Sequence, residues 1–204
     1  MLVTINPQNP QPRLIAQVVE TLRRDGVIAY PTDTTYGLGC DIFSRQAIRK
    51  IYQIKHREAR KPFSFICADL SDVARYAHVS NFAFKILKRH LPGPYTFVLE
   101  ATRIVPDSLV TRQKTVGIRI PNDEIALAIV RELDHPLVTT SANLSGEEPL
   151  HDPLEILEQL GRQLDLVIDG GVRLGNPSTV ISLIDDRIEV LREGSGDTSW
   201  IHQL

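Results

Sequence analysis

The chain of 204 residues has two cysteines, Cys40 and Cys67, set far apart and outside any CxxC pattern. That spacing argues against a disulfide framework and reads as buried thiols in a reducing compartment. Six histidines are scattered with no HxxxH pair and no cysteine neighbour, so a metal cage built from protein ligands is not expected. Neither GxxxxGK[ST] nor GxGxxG occurs, which removes the two common phosphate-binding loops. No window approaches the roughly 20 apolar residues that a membrane-spanning helix needs. Met1 to Pro12 lack a charged start followed by an apolar run, so the expected location is cytoplasmic. The formal charge of -2 leaves no wholesale polycation, and any nucleic-acid contact must come from a local basic patch.

A hydrophobic share of 42% with 24% charged residues is ordinary for a globular protein. Helical and strand patterns alternate with short connections, the signature of an α/β sheet. Helices are expected over Leu14 to Arg24, Ser44 to about Lys55, Leu70 to Tyr76, Asn81 to His90, Ile125 to Leu133 and Leu154 to Leu164. Strands are expected over Val27 to Tyr30, Phe63 to Cys67, Thr96 to Glu100, Thr115 to Ile120 and Leu137 to Thr140. Leu166 to Ile168, Thr179 to Leu183 and Ile188 to Leu191 complete them. Asp185-Asp186 between the last two is a hairpin signal, so the sheet should be mixed. Without repeats or linker-like stretches, one domain over residues 1–204 is the simplest organisation.

Four segments carry candidate chemistry. In the helix from Ser44, Ile48, Ile51, Tyr52 and Lys55 share one face, which aims the Lys55 ammonium inward. An inward ammonium needs partners, because burial without them is costly. The competing explanation is that Lys55 only complements a helix C-terminus. Arg57, Arg60 and Lys61 follow, a run that suits either a solvated loop or polyanion binding. The segment Thr115 to Ile120 alternates, with Val116, Ile118 and Ile120 on one face and Thr115, Gly117 and Arg119 on the other. Glycine inside a strand marks close approach by a ligand or another chain segment, and arginine matches a carboxylate or phosphate. A half-exposed strand with its arginine in water fits the same pattern.

The other two segments are hydroxyl-rich turns, Pro31 to Gly37 and Thr139 to Asn143, each following a buried strand. Ligands of open α/β sheets bind beyond the carboxyl ends of strands, although such side chains also close turns onto the backbone. Ser141 has no GxSxG context and neither cysteine has a suggestive histidine, so covalent catalysis is disfavoured. Cations, hydroxyls and amides favour binding and positioning instead.

Taken together, Pro31-Thr32-Asp33-Thr34-Thr35-Tyr36-Gly37-Leu38, the KxR pair Lys55 and Arg57, Leu91-Pro92-Gly93-Pro94, Val116-Gly117-Ile118-Arg119-Ile120-Pro121, Thr140-Ser141-Ala142-Asn143, Pro177-Ser178-Thr179-Val180 and Leu191-Arg192-Glu193-Gly194 resemble the YrdC-type threonylcarbamoyl-AMP synthase family over nearly the whole chain. The chain resembles the short form, and Phe63-Ser64-Phe65-Ile66-Cys67 and Arg192 to Asp197 look closer to the YciO branch. The family usually has proline directly after the KxR arginine, where this chain has Glu58.

The resemblance implies a single-domain α/β fold, a twisted mixed sheet flanked by helices, with a central positively charged cavity. It implies a nucleotidyltransferase that turns L-threonine, bicarbonate and ATP into threonylcarbamoyl-AMP and pyrophosphate for tRNA modification by a downstream threonylcarbamoyl-transferase machinery. Lys55 and Arg57 would be catalytic, and would bind ATP with Lys61, Thr115, Asn143 and Arg192. Arg119 would take the threonine carboxylate, and Thr34, Ser141 and Ser178 its amine and hydroxyl. Mg2+ would arrive with ATP rather than on protein ligands. The alternative is a non-catalytic protein for tRNA, double-stranded RNA or ribosomes, with a footprint from Arg45, Arg49, Lys50, Lys55, Arg57, Arg60 and Lys61.

Overall fold

A computed structural model describes residues 1–56 and 63–203, without the side chains of 202 and 203. Arg57, Arg60 and Lys61 lie outside the described residues. Among the described residues there are six α-helices: α1 (Pro12–Arg23), α2 (Arg45–Ile54), α3 (Leu70–Tyr76), α4 (Asn81–His90), α5 (Glu124–Leu133) and α6 (Pro153–Leu160). The strands are β1 (Leu2–Thr4), β2 (Ile28–Tyr30), β3 (Gly37–Asp41), β4 (Ser64–Ile66), β5 (Tyr95–Glu100), β6 (Thr115–Arg119), β7 (Leu137–Ser141), β8 (Leu166–Asp169), β9 (Thr179–Ser182) and β10 (Glu189–Arg192). They form one sheet in the order β1-β8-β2-β3-β7-β4-β6-β5-β9-β10.

The sheet is mixed, as the alternating pattern and the Asp185-Asp186 signal require. β1 and β2 flank β8 in parallel, β4 runs parallel to β6, and β5 parallel to β9. The other neighbours are antiparallel. β9 returns into β10 through a short 3-10 turn, Ile184–Asp186, with Asp185 and Asp186 both at φ 55°.

Helix starts follow local chemistry. Ser44, Asp69, Ser80, Asp123 and Asp152 each accept a hydrogen bond from a backbone N–H of the first turn, satisfying a donor that the helix leaves unpaired. The helix expected to reach Leu164 stops at Leu160.

Two apolar cores lie on opposite faces of the sheet. Ile15, Val18, Val19 and Leu22 of α1 and Ile125, Ile129 and Val130 of α5 pack with Ile28, Tyr30, Ile66 and Leu137. On the other face Ile48 and Ile51 of α2, Val73 of α3, Leu87 of α4 and Ile156 of α6 pack with Leu38, Val138, Phe65, Ile118 and Phe97. The alternation in β6 reads correctly: Val116 and Ile118 enter this second core, and Arg119 points to the opposite face.

Two strands have no counterpart in the sequence pattern. β1 is three residues long, too short to show a period. β3 reads Gly37-Leu38-Gly39-Cys40-Asp41, a composition that suggests a turn. Its glycines serve packing, since an added Cβ would lie 3.1 Å from the Tyr30 ring at position 37 and 2.8 Å from it at position 39. The Tyr30 ring thus lies across a bare strip of the neighbouring strand.

Candidate ligand-binding site

β2 and β7 are both antiparallel to β3, so they run the same way and their two hydroxyl-rich turns leave the sheet at one edge. β7 runs through Ser141, one residue beyond the expected end. Between these turns and the strands β4, β6, β5 and β9 lies a cavity of about 180 Å3. It opens on the α1–α5 face, because Arg119 in its lining is in register with Ile66, and Ile66 with Leu137 of that core. Threonine and serine side chains dominate the lining, with two guanidinium groups, Arg119 and Arg192.

Arg119 is 8% exposed, so the reading that left it in water is corrected: β6 is covered on both faces. Its Nη2 donates to Asp33 Oδ1 at 2.5 Å, Thr34 Oγ1 at 2.8 Å and Thr32 Oγ1 at 3.3 Å. The first contact is an ion pair whose side chains are 10% and 11% exposed. Arg119 Nε and Asp33 Oδ2 are buried without a hydrogen-bond partner among the described residues.

A second arginine braces the same turn. Arg173 donates from Nε to the Thr32 carbonyl at 3.0 Å, from Nη1 to the Gly170 carbonyl at 2.9 Å and from Nη2 to Asp123 Oδ2 at 3.2 Å. Burial pushes the Asp123 carboxyl above its ordinary range, against the bonds from Ala126 and Arg173. Tyr36 donates its hydroxyl to the Gly171 carbonyl at 2.9 Å, and burial pushes it up to about 12, so it stays a neutral phenol at neutral pH.

On the opposite wall, Arg192 donates from Nη2 to the Ser178 carbonyl at 2.7 Å and to Ser178 Oγ at 3.3 Å. Ser178 Oγ is 2.9 Å from Thr96 Oγ1. Partial burial, and then the charge of Arg119 across the cavity, lower the Arg192 pKa. Two cations facing one small polar space make it attractive to anions.

Lys55 caps the C-terminus of α2 and is 2% exposed. Its ammonium turns inward and donates to the Ser141 carbonyl at 2.7 Å, to Asn143 Oδ1 at 2.5 Å and to Ser141 Oγ at 3.4 Å. Asn143 in turn donates to the Glu147 carbonyl, and Ser145 N–H donates to the Lys55 carbonyl at 3.0 Å. The KxR lysine and the Ser141–Asn143 turn, 86 to 88 residues apart, are therefore one unit.

The expected residues thus divide. Arg119, Ser141, Ser178 and Arg192 line the cavity, and Thr34, Lys55 and Asn143 stand directly behind lining groups. Thr115 sits at the other end of β6, its hydroxyl 2.7 Å from that of Thr111, outside the lining. In the basic run proposed as an RNA footprint, Lys50 pairs with Asp165 at 2.6 Å and Lys55 is buried, while Arg45 and Arg49 are exposed. Asp33, Ser64, Thr96 and Arg173 belong to the site and were not singled out from sequence. Asp33 had a signal, an acid inside a hydroxyl-rich turn, and the others had none.

Among the described residues, no helix is long and apolar enough to cross a membrane. No group of three or more histidines, cysteines or acids is placed to hold a metal ion among them.

A family model described as telomere recombination, for Sua5, YciO and YrdC, matches residues 20–194. The chain is 45% identical over 195 residues to the protein YciO of Escherichia coli K12, covering 95% of each. The crystal structure of E. coli YciO superimposes with a TM-score of 0.93 over 98% of both chains. A threonylcarbamoyl-AMP synthase of Idiomarina loihiensis is 37% identical over 81% of this chain and 91% of its own. The crystal structure of Pyrococcus abyssi Sua5 complexed with L-threonine, 29% identical, gives a TM-score of 0.93 over all of this chain and 60% of that one. The hydroxyl-lined cavity thus stands in a fold shared by both branches, and the chain belongs to the Sua5/YciO/YrdC family.

Proposed function

We propose that the chain is an L-threonylcarbamoyladenylate synthase, a nucleotidyltransferase that condenses L-threonine, bicarbonate and ATP into threonylcarbamoyl-AMP with release of pyrophosphate. The observation that carries this reading is the placement of Arg119 and Arg192 on facing walls of one small hydroxyl-lined cavity. Support also comes from relatives named for this reaction and from a Sua5 structure titled as a complex with L-threonine.

In this reading Arg119 takes the amino-acid carboxylate through the part of its guanidinium that Asp33 and the Thr32–Thr34 turn leave open. Thr34, Ser141 and Ser178 set the orientation of the amine and hydroxyl. ATP enters as its Mg2+ complex and meets Lys55, Arg57, Lys61 and Arg192, with Thr115 and Asn143 completing the nucleotide contacts. The threonine amine adds to bicarbonate with loss of water to give the carbamate, whose oxygen attacks the α-phosphorus; the bond to the β-phosphate breaks, and pyrophosphate leaves. Positive groups that face the transferring phosphoryl group lower the barrier by neutralising charge as it accumulates. Lys55 and Arg57 are the catalytic pair in this scheme. The product would pass in the cytoplasm to a transferase that modifies tRNA, and residues 1–204 would act as one domain.

The test is pyrophosphate release from the purified chain with MgATP, bicarbonate and L-threonine. Release that depends on threonine and falls about 100-fold in Lys55→Ala supports the assignment. Absence of threonine-dependent release, with ATP unbound in calorimetry, overturns it.

A further inference from the structure

The cavity floor is one row of residues that runs across the sheet. Thr139 of β7 is in register with Ser64 of β4, and Ser64 with Gly117 of β6. Partners in register share a face, so all three look into the cavity side. A Cβ at position 117 would lie 2.6 Å from Ser64 Oγ and 3.2 Å from Thr96 Cγ2. The bare glycine is what gives the Ser64 hydroxyl its place.

A serine kept only to fill space would normally give its hydroxyl to a protein neighbour. The lining hydroxyls of Thr96, Thr139, Ser141 and Ser178 all do so: Thr96 with Ser178, Thr139 with Tyr30, and Ser141 with Asn143. Ser64 is half-buried, and its hydroxyl makes no hydrogen bond to any described residue. The Thr35 hydroxyl is the other lining hydroxyl without a partner among the described residues, but Thr35 stands on the turn before β3 rather than on the floor, and its carbonyl accepts from Thr32 Oγ1 at 2.6 Å.

We propose that Ser64, beside the bare Gly117, is a specificity-determining residue that hydrogen-bonds the side-chain hydroxyl of the substrate amino acid. This rests on the reading that Arg119 holds the carboxylate of that substrate. Gly117 and Arg119 are two residues apart on one face, so the Ser64 row lies roughly 7 Å along the strand from the Arg119 row. An amino acid gripped at its carboxylate by the long Arg119 side chain spans that interval and sets its β-substituent over Ser64. A serine hydroxyl both donates and accepts, so it suits a hydroxyl partner of either orientation. Valine, the isostere without the hydroxyl, would cover Ser64 and leave it unpaired, which is how a polar site rejects an apolar analogue.

Calorimetric titration of L-threonine and L-valine into the whole chain with MgATP present tests this directly. The wild type should bind threonine at least about 10-fold more tightly than valine. Ser64→Ala should bring the ratio to about 2-fold by weakening threonine alone, with valine and MgATP affinities kept, and Thr35→Val should leave the ratio as it is. Equal binding of both amino acids by the wild type overturns the proposal without any variant. So does an unchanged ratio in Ser64→Ala, or loss of the ratio in Thr35→Val. Absence of any amino-acid binding to the wild type overturns this inference and the proposed function together, whereas an unchanged ratio strikes Ser64 alone.

Discussion

Arg119 meets Asp33 at 2.5 Å, and both side chains are about nine-tenths buried at the edge of the cavity. The guanidinium assigned to a substrate carboxylate therefore already has a resident carboxylate. Removing one partner of a buried ion pair strands the other charge, which costs about 3–5 kcal/mol. Asp33→Ala should lose stability on that scale in urea denaturation. Asp33→Asn keeps an oxygen for Nη2 and should lose clearly less. Equal stability of Asp33→Ala and wild type would mean that Arg119 finds solvent or another acceptor.

Lys55 joins α2 to the end of β7 through the Ser141 carbonyl and Asn143. Lys55→Ala leaves those oxygens without their donor inside the protein, a loss of about 1–3 kcal/mol. The same variant carries the loss of pyrophosphate release expected above. Lys55→Met, which keeps the length and apolar body, should regain part of the stability and none of the activity. Recovery of activity in Lys55→Met would remove the charge from the mechanism.

Gly39 offers a sharper packing test than any surface site. An alanine there meets the Tyr30 ring and Leu137 Cδ2 at 2.8 Å each. Overpacking of this kind costs about 1–3 kcal/mol, and thermal unfolding of Gly39→Ala should show it. Gly146, at φ 92° with open space around it, is limited by backbone conformation alone, so Gly146→Ala should lose stability through strain and Gly146→Asn should lose less.

Asp165 accepts from Lys50 at 2.6 Å and from the Val27 N–H at 2.7 Å. Burial raises its pKa, but these bonds and the Lys50 charge outweigh burial and hold it below the ordinary carboxylate value. A depressed folded pKa stabilises the fold above the unfolded value near 3.8, and this contribution is lost as pH falls through the folded pKa. The pair is more than a third exposed, so solvent screening limits it to below about 1 kcal/mol. Asp165→Asn should be slightly less stable than wild type at pH 7, and the gap should close below pH 3.8. A gap that persists unchanged into acid would assign the effect to the Val27 bond alone.

Periodicity made most of the scaffold readable. The 3.6 spacing of Ile48, Ile51 and Lys55 located α2 and the inward turn of its last cation, and the alternation of Thr115 to Ile120 sorted the two faces of β6. Where a residue's identity answers a distant neighbour, local pattern fails. β3 looks like a turn because its glycines accommodate Tyr30, seven and nine residues away. The site depends on pairings of the same distant kind, with Arg119 and Asp33 separated by 86 positions and Lys55 and Asn143 by 88. Motif resemblance collected these residues into one site, but it did not show that Asp33 occupies Arg119 or that Ser64 has a hydroxyl to spare.

Arg192 belongs to β10, which pairs with β9 alone and is exposed along its whole length. One wall of the cavity is thus an exposed edge strand, where transient local opening costs less than in the sheet interior. An anion gripped by Arg192 fastens that strand to the body of the sheet and slows its opening by mass action. Amide hydrogen exchange at 190–192 should accordingly slow when the site fills, making this edge strand a reporter of occupancy without any label or turnover.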